Sequence, residues 1–223
     1  MAGKTSIALF ISLFLAASVF AQGDTPIVDG NVSEFLRNLE EAVGDMNTYR
    51  FITVSENWNA ARHEKKTIMF QFKKPNLMRT DVLTGKKKGS TVVLNKDGVI
   101  RGKNSWGFRK TLKPKDKRLR NIRGMTFMNS NLMNKTQRLK EHILERGCKA
   151  TLTEGEYEGR PGYHLHIDHE DDDDPITSED VWFEKDTYLI LKNIKYEGNV
   201  KVTDVTWRDH EVDIPLDDDL FEQ

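Results

Sequence analysis

Cysteine is nearly absent from this chain: Cys148 is the only one in 223 residues, so no disulfide can form within it. A disulfide-stapled scaffold is therefore excluded, and the fold must rest on its apolar core. Cys148 itself reads as a buried small apolar residue, because a reactive thiol needs a His or Arg partner that the sequence does not identify. Recognisable catalytic spacing is missing too. There is no Gly-x-Ser-x-Gly elbow, no His-Glu-x-x-His, no phosphate loop and no Cys-x-x-Cys. Ser105, in Gly102-Lys103-Asn104-Ser105-Trp106-Gly107, lacks the spacing of an elbow. The chain reads as a non-enzyme with no cofactor.

Long apolar runs are equally scarce. The single one, Ile7 to Phe20, falls short of the roughly 20 residues that cross a bilayer. Lys4 precedes it, and Val19-Phe20-Ala21 follows with small residues at −3 and −1 of a cut before Gln22. Residues 1–21 are thus expected to be a cleaved signal peptide. No Cys stands at the cut to accept a lipid. The expectation is an exported, most simply periplasmic, monomer without a transmembrane segment, with residues 22–223 forming one domain.

What the chain does have is charge, sorted by sign. Residues 62–123 hold 20 Lys or Arg against 4 Asp or Glu, whereas residues 154–223 hold 6 against 22. The two halves can face each other in one sheet. Alternatively, the basic half can meet anionic lipid headgroups or an acidic protein partner. No nucleic-acid-binding motif accompanies the basic residues.

Periodicity gives the elements. Val32, Phe35, Leu36, Leu39, Val43 and Met46 recur at three and four, predicting a helix, with Asn31 and Glu34 as a capping box. From Thr48 the period falls to two. Strands are expected at Tyr49–Val54, Thr67–Lys73, Leu77–Leu83, Ser90–Leu94, Val99–Arg101 and Trp106–Leu112, with Asn95-Lys96-Asp97-Gly98 a hairpin turn. Gly124 to Arg146 interrupts them as a Met-rich helical insert, capped by Asn134 and stopped at Gly147. Strands return at Lys149–Tyr157, Gly162–Asp168, Asp180–Phe183, Tyr188–Tyr196 and Val200–Trp207. Asp171 to Pro175 reads as a solvated acidic loop.

Two side-chain sets invite a function. On a strand His164, His166 and Asp168 share one face, the arrangement a zinc-dependent enzyme would need, but no further ligand or base is identifiable. No metal ligand is therefore assigned. The apolar inventory says more. Phe70, Phe72, Trp106, Phe127, Met128, Leu132 and Trp182 are large for a sheet covered by one or two helices. Met125, Met128 and Met133 add adaptable surface. These seven large residues are the candidate lining of a cavity for an acyl chain; an envelope interaction module with a collapsed interior is the alternative.

Phe70-Gln71-Phe72-Lys73-Lys74-Pro75-Asn76-Leu77-Met78-Arg79, then Gly89 to Leu94 and Asn95-Lys96-Asp97-Gly98, resembles the LolA-like periplasmic carriers of outer-membrane lipoproteins. Gly159-Arg160-Pro161-Gly162-Tyr163 and the ending Val212-Asp213-Ile214-Pro215 with Leu220-Phe221 are similar to segments of related exported domains. The resemblance implies an α+β fold: an antiparallel β half-barrel of about 10–11 strands with helices over its concave face. It implies a carrier or sensor for an acyl chain or lipoprotein, and it makes Arg79 the candidate residue that locks the helical lid.

Overall fold

A computed structural model describes residues 25–27, 30–169 and 175–222. The expected leader 1–21, and all of the acidic loop except Pro175, lie outside the described residues. One antiparallel sheet of twelve strands organises the chain. In chain order the elements are β1 (Thr25–Ile27), α1 (Gly30–Asp45), β2 (Thr48–Asn59), β3 (Arg62–Lys73), β4 (Leu77–Thr84), β5 (Thr91–Leu94), β6 (Ile100–Lys103) and β7 (Arg109–Leu112). After them come α2 (Leu132–Lys140), β8 (Lys149–Tyr157), β9 (Arg160–Asp168), β10 (Ser178–Glu184), β11 (Ile190–Glu197) and β12 (Val200–Val212). Eleven strands follow α1, as the alternation predicts, and the short β1 adds a twelfth at one edge.

The strand order β1-β8-β9-β10-β11-β12-β2-β3-β4-β5-β6-β7 explains the helical insert. Each half of the chain is a meander, and β12 joins them by pairing with β2. This leaves β7 at one edge and β8 beside the other. The chain must therefore cross the width of the sheet between Leu112 and Lys149, and it does so over one face. The sheet does not close among the described residues, so it is a half-barrel whose inner face is lidded by this crossing segment and by α1.

The helical stripe falls where its spacing predicts. Val32, Phe35, Leu36, Leu39, Val43 and Met46 are all buried. Phe35 meets Phe183 at 5.2 Å and Tyr163 at 5.3 Å between ring centroids, edge-on, so α1 seals the half built from β8 to β12. The start of α2 differs from expectation. Asn131, not Asn134, is the cap, its side chain accepting the Asn134 amide at 2.7 Å. The buried Tyr49 hydroxyl accepts the Leu132 amide at 2.9 Å, so a side chain of the sheet satisfies a donor that the first helical turn leaves free. α2 runs into a π-helical turn, Glu141–Glu145, and ends before Gly147, whose φ of +72° suits a residue without Cβ.

Candidate functional site

Between the sheet and the crossing segment lies a cavity of about 460 Å³. Register shows how its chemistry is graded. Phe51 pairs with Phe70, Thr53 with Ile68, Ser55 with Lys66 and Asn57 with Glu64. All eight side chains line the cavity. Moving along β2 and β3, the wall therefore passes from aromatic to polar to charged.

The neighbouring strands repeat the gradient. Trp207 pairs with Thr53, Val205 with Ser55 and Thr203 with Asn57 on one side. Val82 pairs with Ile68 on the other. Val92, Phe127 and Leu132 complete the apolar end, where Phe51 and Phe70 stack at 5.1 Å between ring centroids. The lining holds nine Lys or Arg and one Glu, so the polar end carries a strong positive potential.

A buried ion cluster anchors the lid at that polar end. Glu179, 1% exposed, lies on β10 opposite Lys195 of β11. Lys195 Nζ stands 2.8 Å from the Glu179 carboxylate. From α2, Lys135 donates to Glu179 and, at 3.0 Å, to Asn193 Oδ1, while Arg138 approaches the same carboxylate at 3.8 Å. Burial alone would raise the Glu179 carboxyl, but Lys135 and Lys195 outweigh it and hold the group well below the ordinary carboxylate range. Burial pushes the Lys135 ammonium down to about 7, against the pull of Glu179. Three cations thus share one carboxylate, and the surplus charge faces the cavity through Lys135, Arg138 and Lys195.

Phe70, Phe127 and Leu132 come together on the cavity wall. Phe72 lies deeper, stacked on Tyr49 at 4.8 Å in the closed core. Met128 packs against that core from the lid segment without lining the cavity. Trp106 stands 85% exposed in the β6–β7 connection, because Asn104 turns the chain there by accepting the Trp106 and Phe108 amides. Trp182 lies on the outer face, since it is in phase with Asp180, and it stacks on His164 at 4.5 Å. Arg79 alternates with Met78, Thr80 and Val82 and so also points outward. It donates to Asp81 at 2.7 and 2.9 Å and to the Leu220 carbonyl at 2.9 Å, tying down the C-terminal turn.

The Glu179 cluster was not among the sequence expectations. One signal could have found it: Glu179 is in phase with Val181 and Phe183, an acid at a position the pattern marks as buried. The histidines expected to share a face do so, but as a closed hydrogen-bonded set. His164 Nε2 and His166 Nδ1 each lie 2.8 Å from Asp180 Oδ1, and His166 Nε2 lies 3.2 Å from Asp168.

No protein-family model matches the chain, and no curated protein matches its sequence. Solved structures do match. An uncharacterized conserved protein from Thermus thermophilus aligns over 86% of this chain and 93% of its own, with 8% identity and a TM-score of 0.53. The lipoprotein LppX of Mycobacterium tuberculosis aligns over 85% of this chain and 99% of its own, with 10% identity and a TM-score of 0.50. A LolA superfamily protein from Nitrosomonas europaea aligns over 85% and 96%, with 8% identity and a TM-score of 0.44. At such identities the likeness to the first two establishes the fold and nothing finer. No helix among the described residues is long and apolar enough to cross a membrane.

Proposed function

We propose that this protein is an exported, non-enzymatic carrier of an amphiphile, an acyl chain bearing an anionic headgroup. The observation that carries this reading is the graded cavity, aromatic at one end and lined overall by nine cationic side chains against one acidic one. Each methylene moved from water into the apolar end contributes about 0.8 kcal/mol, so affinity needs no covalent chemistry. The surplus charge of Lys135, Arg138 and Lys195 suits a carboxylate or phosphate. The apolar N-terminal stretch supports export.

The β6–β7 connection supplies a docking point for an anionic lipid surface. Trp106 and Phe108 are 85% and 74% exposed, and Lys103, Arg109 and Lys110 flank them in sequence. Aromatic rings beside cations suit the boundary between headgroups and acyl tails.

One experiment tests both parts. Untagged protein is loaded with a fluorescent fatty acid and mixed with vesicles rich in phosphatidylglycerol. Ile68→Glu, a half-buried wall position, should weaken loading at least about tenfold, or 1.4 kcal/mol, with the circular dichroism spectrum retained. The double variant Trp106→Ala, Phe108→Ala should load normally and deliver slowly. Equal loading by wild type and Ile68→Glu would overturn the carrier reading. Equal delivery by the double variant would overturn the docking point.

A further inference from the structure

At the polar end of the cavity three side chains with no place in lipid binding converge. His142 comes from the π-helical turn that ends the lid helix, Cys148 from the residue before β8, and His169 from the residue after β9. Their ligand atoms all lie within 4.8 Å of one another. The imidazole rings meet edge to face with centroids 4.7 Å apart. The Cys148 amide donates to the His142 carbonyl at 3.0 Å, so the backbone itself holds two of the three together.

Their hydrogen bonding is what singles them out. His142 Nδ1 and His169 Nε2 are buried without a hydrogen-bond partner among the described residues. The His169 side chain is only 2% exposed, and its Nε2 stands 3.7 Å from Glu179, beyond hydrogen-bond reach. Buried imidazole nitrogens left unsatisfied cost stability unless a ligand takes them up. Two imidazoles and one cysteine sulfur form a mixed nitrogen and sulfur donor set, the kind that favours borderline cations over calcium or magnesium.

We propose that His142, Cys148 and His169 bind one zinc ion, which clamps the end of the lid helix to β8 and β9. Around tetrahedral zinc the donor atoms lie roughly 3.3–3.8 Å apart, so side-chain rotation closes the remaining gap. Both histidines also line the cavity, so an ion can reach the site from it. A π-helical turn inserts one extra residue into a helix and often marks such a site. Here His142 lies within that turn, Glu141–Glu145. The proposal stands apart from the lipid reading, because it uses different side chains and a different probe.

The test uses untagged, reduced, chelator-treated protein and the metals alone. Titrated Co²⁺ should bind at one equivalent with a thiolate-to-cobalt charge-transfer band, and Zn²⁺ should displace it and raise the melting temperature. Cys148→Ser should lose the band and weaken Zn²⁺ binding by about 100-fold or more. His142→Ala, at a half-buried position, provides a second variant that keeps its fold and should weaken Zn²⁺ binding likewise. The double variant His164→Ala, His166→Ala should bind as wild type. Absence of the band in folded wild type would overturn the proposal, as would binding lost in the His164, His166 variant and kept in His142→Ala.

Discussion

Glu179 and Asp180 are consecutive residues of one strand, yet they inhabit different solvents. Glu179 faces the lid, is 1% exposed and is shared by Lys135, Lys195 and Arg138. Asp180 faces outward, half-buried, and is shared by His164 and His166. Both carboxyls are held below their ordinary range, Glu179 by lysines that overcome full burial and Asp180 by histidines that overcome partial burial. Equal direction conceals unequal consequence. Charge removed from a dry, crowded site strands its partners, whereas water replaces a partner lost on the outer face.

The largest expected effect breaks that comparison directly. Glu179→Ala leaves Lys135 and Lys195 buried around an empty site and should cost about 3–5 kcal/mol. Asp180→Ala should cost less, about 1–2 kcal/mol, because water can reach the half-exposed His164 and His166 rings it leaves behind. Urea denaturation of the two variants measures both, and equal losses would mean that the lid does not keep the inner face dry. A smaller change sharpens the same contrast from the lid side. Tyr49→Phe removes the acceptor of the Leu132 amide and should cost about 1–3 kcal/mol, since a buried donor is left unpaired. Hydrogen exchange should speed up at Leu132 and leave the β9–β10 amides unchanged; uniform acceleration would count against a separately moving lid.

The alternation of residues made most of the fold legible and only part of the site. The helix at Val32–Met46, the turn at Asn95–Gly98 and every strand after Lys149 fall within a few residues of their expected places. The hairpin of β2 and β3 is much longer than expected. Glu56, Asn57, His63, Glu64 and Lys66 continue these strands although none is a strand former, because the ladder begun by Tyr49, Phe51, Phe70 and Phe72 runs on in register to Asn59 and Arg62. Three of them, Asn57, Glu64 and Lys66, line the polar end of the cavity, so weak propensity and the site coincide there. Phe70, Phe127 and Leu132 were readable as wall because they are large and apolar. Trp106 and Trp182 are no less apolar, but phase and turn chemistry send them outward. His142, Cys148 and His169 were unreadable as a group, since only the crossing of the sheet brings Cys148 and the lid end to the end of β9.

The smallest effect belongs to the outer face and depends on pH. Partial burial would lower His166, but its bonds to Asp180 and Asp168 prevail and raise it above the ordinary imidazole value. A raised base stabilises the fold below its unfolded pKa of about 6.5, and that contribution is lost as pH climbs through the folded value. The lowered Asp180 carboxyl works in the opposite sense. Its contribution is full above the unfolded pKa of about 3.9 and is lost as pH falls through the folded value. The histidine–aspartate set is therefore strongest in mildly acid solution, between those limits. Asp180→Asn should flatten the melting temperature across that window and return the His166 titration toward that of a free imidazole, both readable by calorimetry and by NMR of the ring protons. The Glu179 cluster also changes charge near neutrality, but there through Lys135, which burial brings down to about 7, and not through a raised histidine. A variant at Asp180 that left the window intact would mean the histidines answer to Asp168 instead, and the contrast between the two faces would then rest on burial alone.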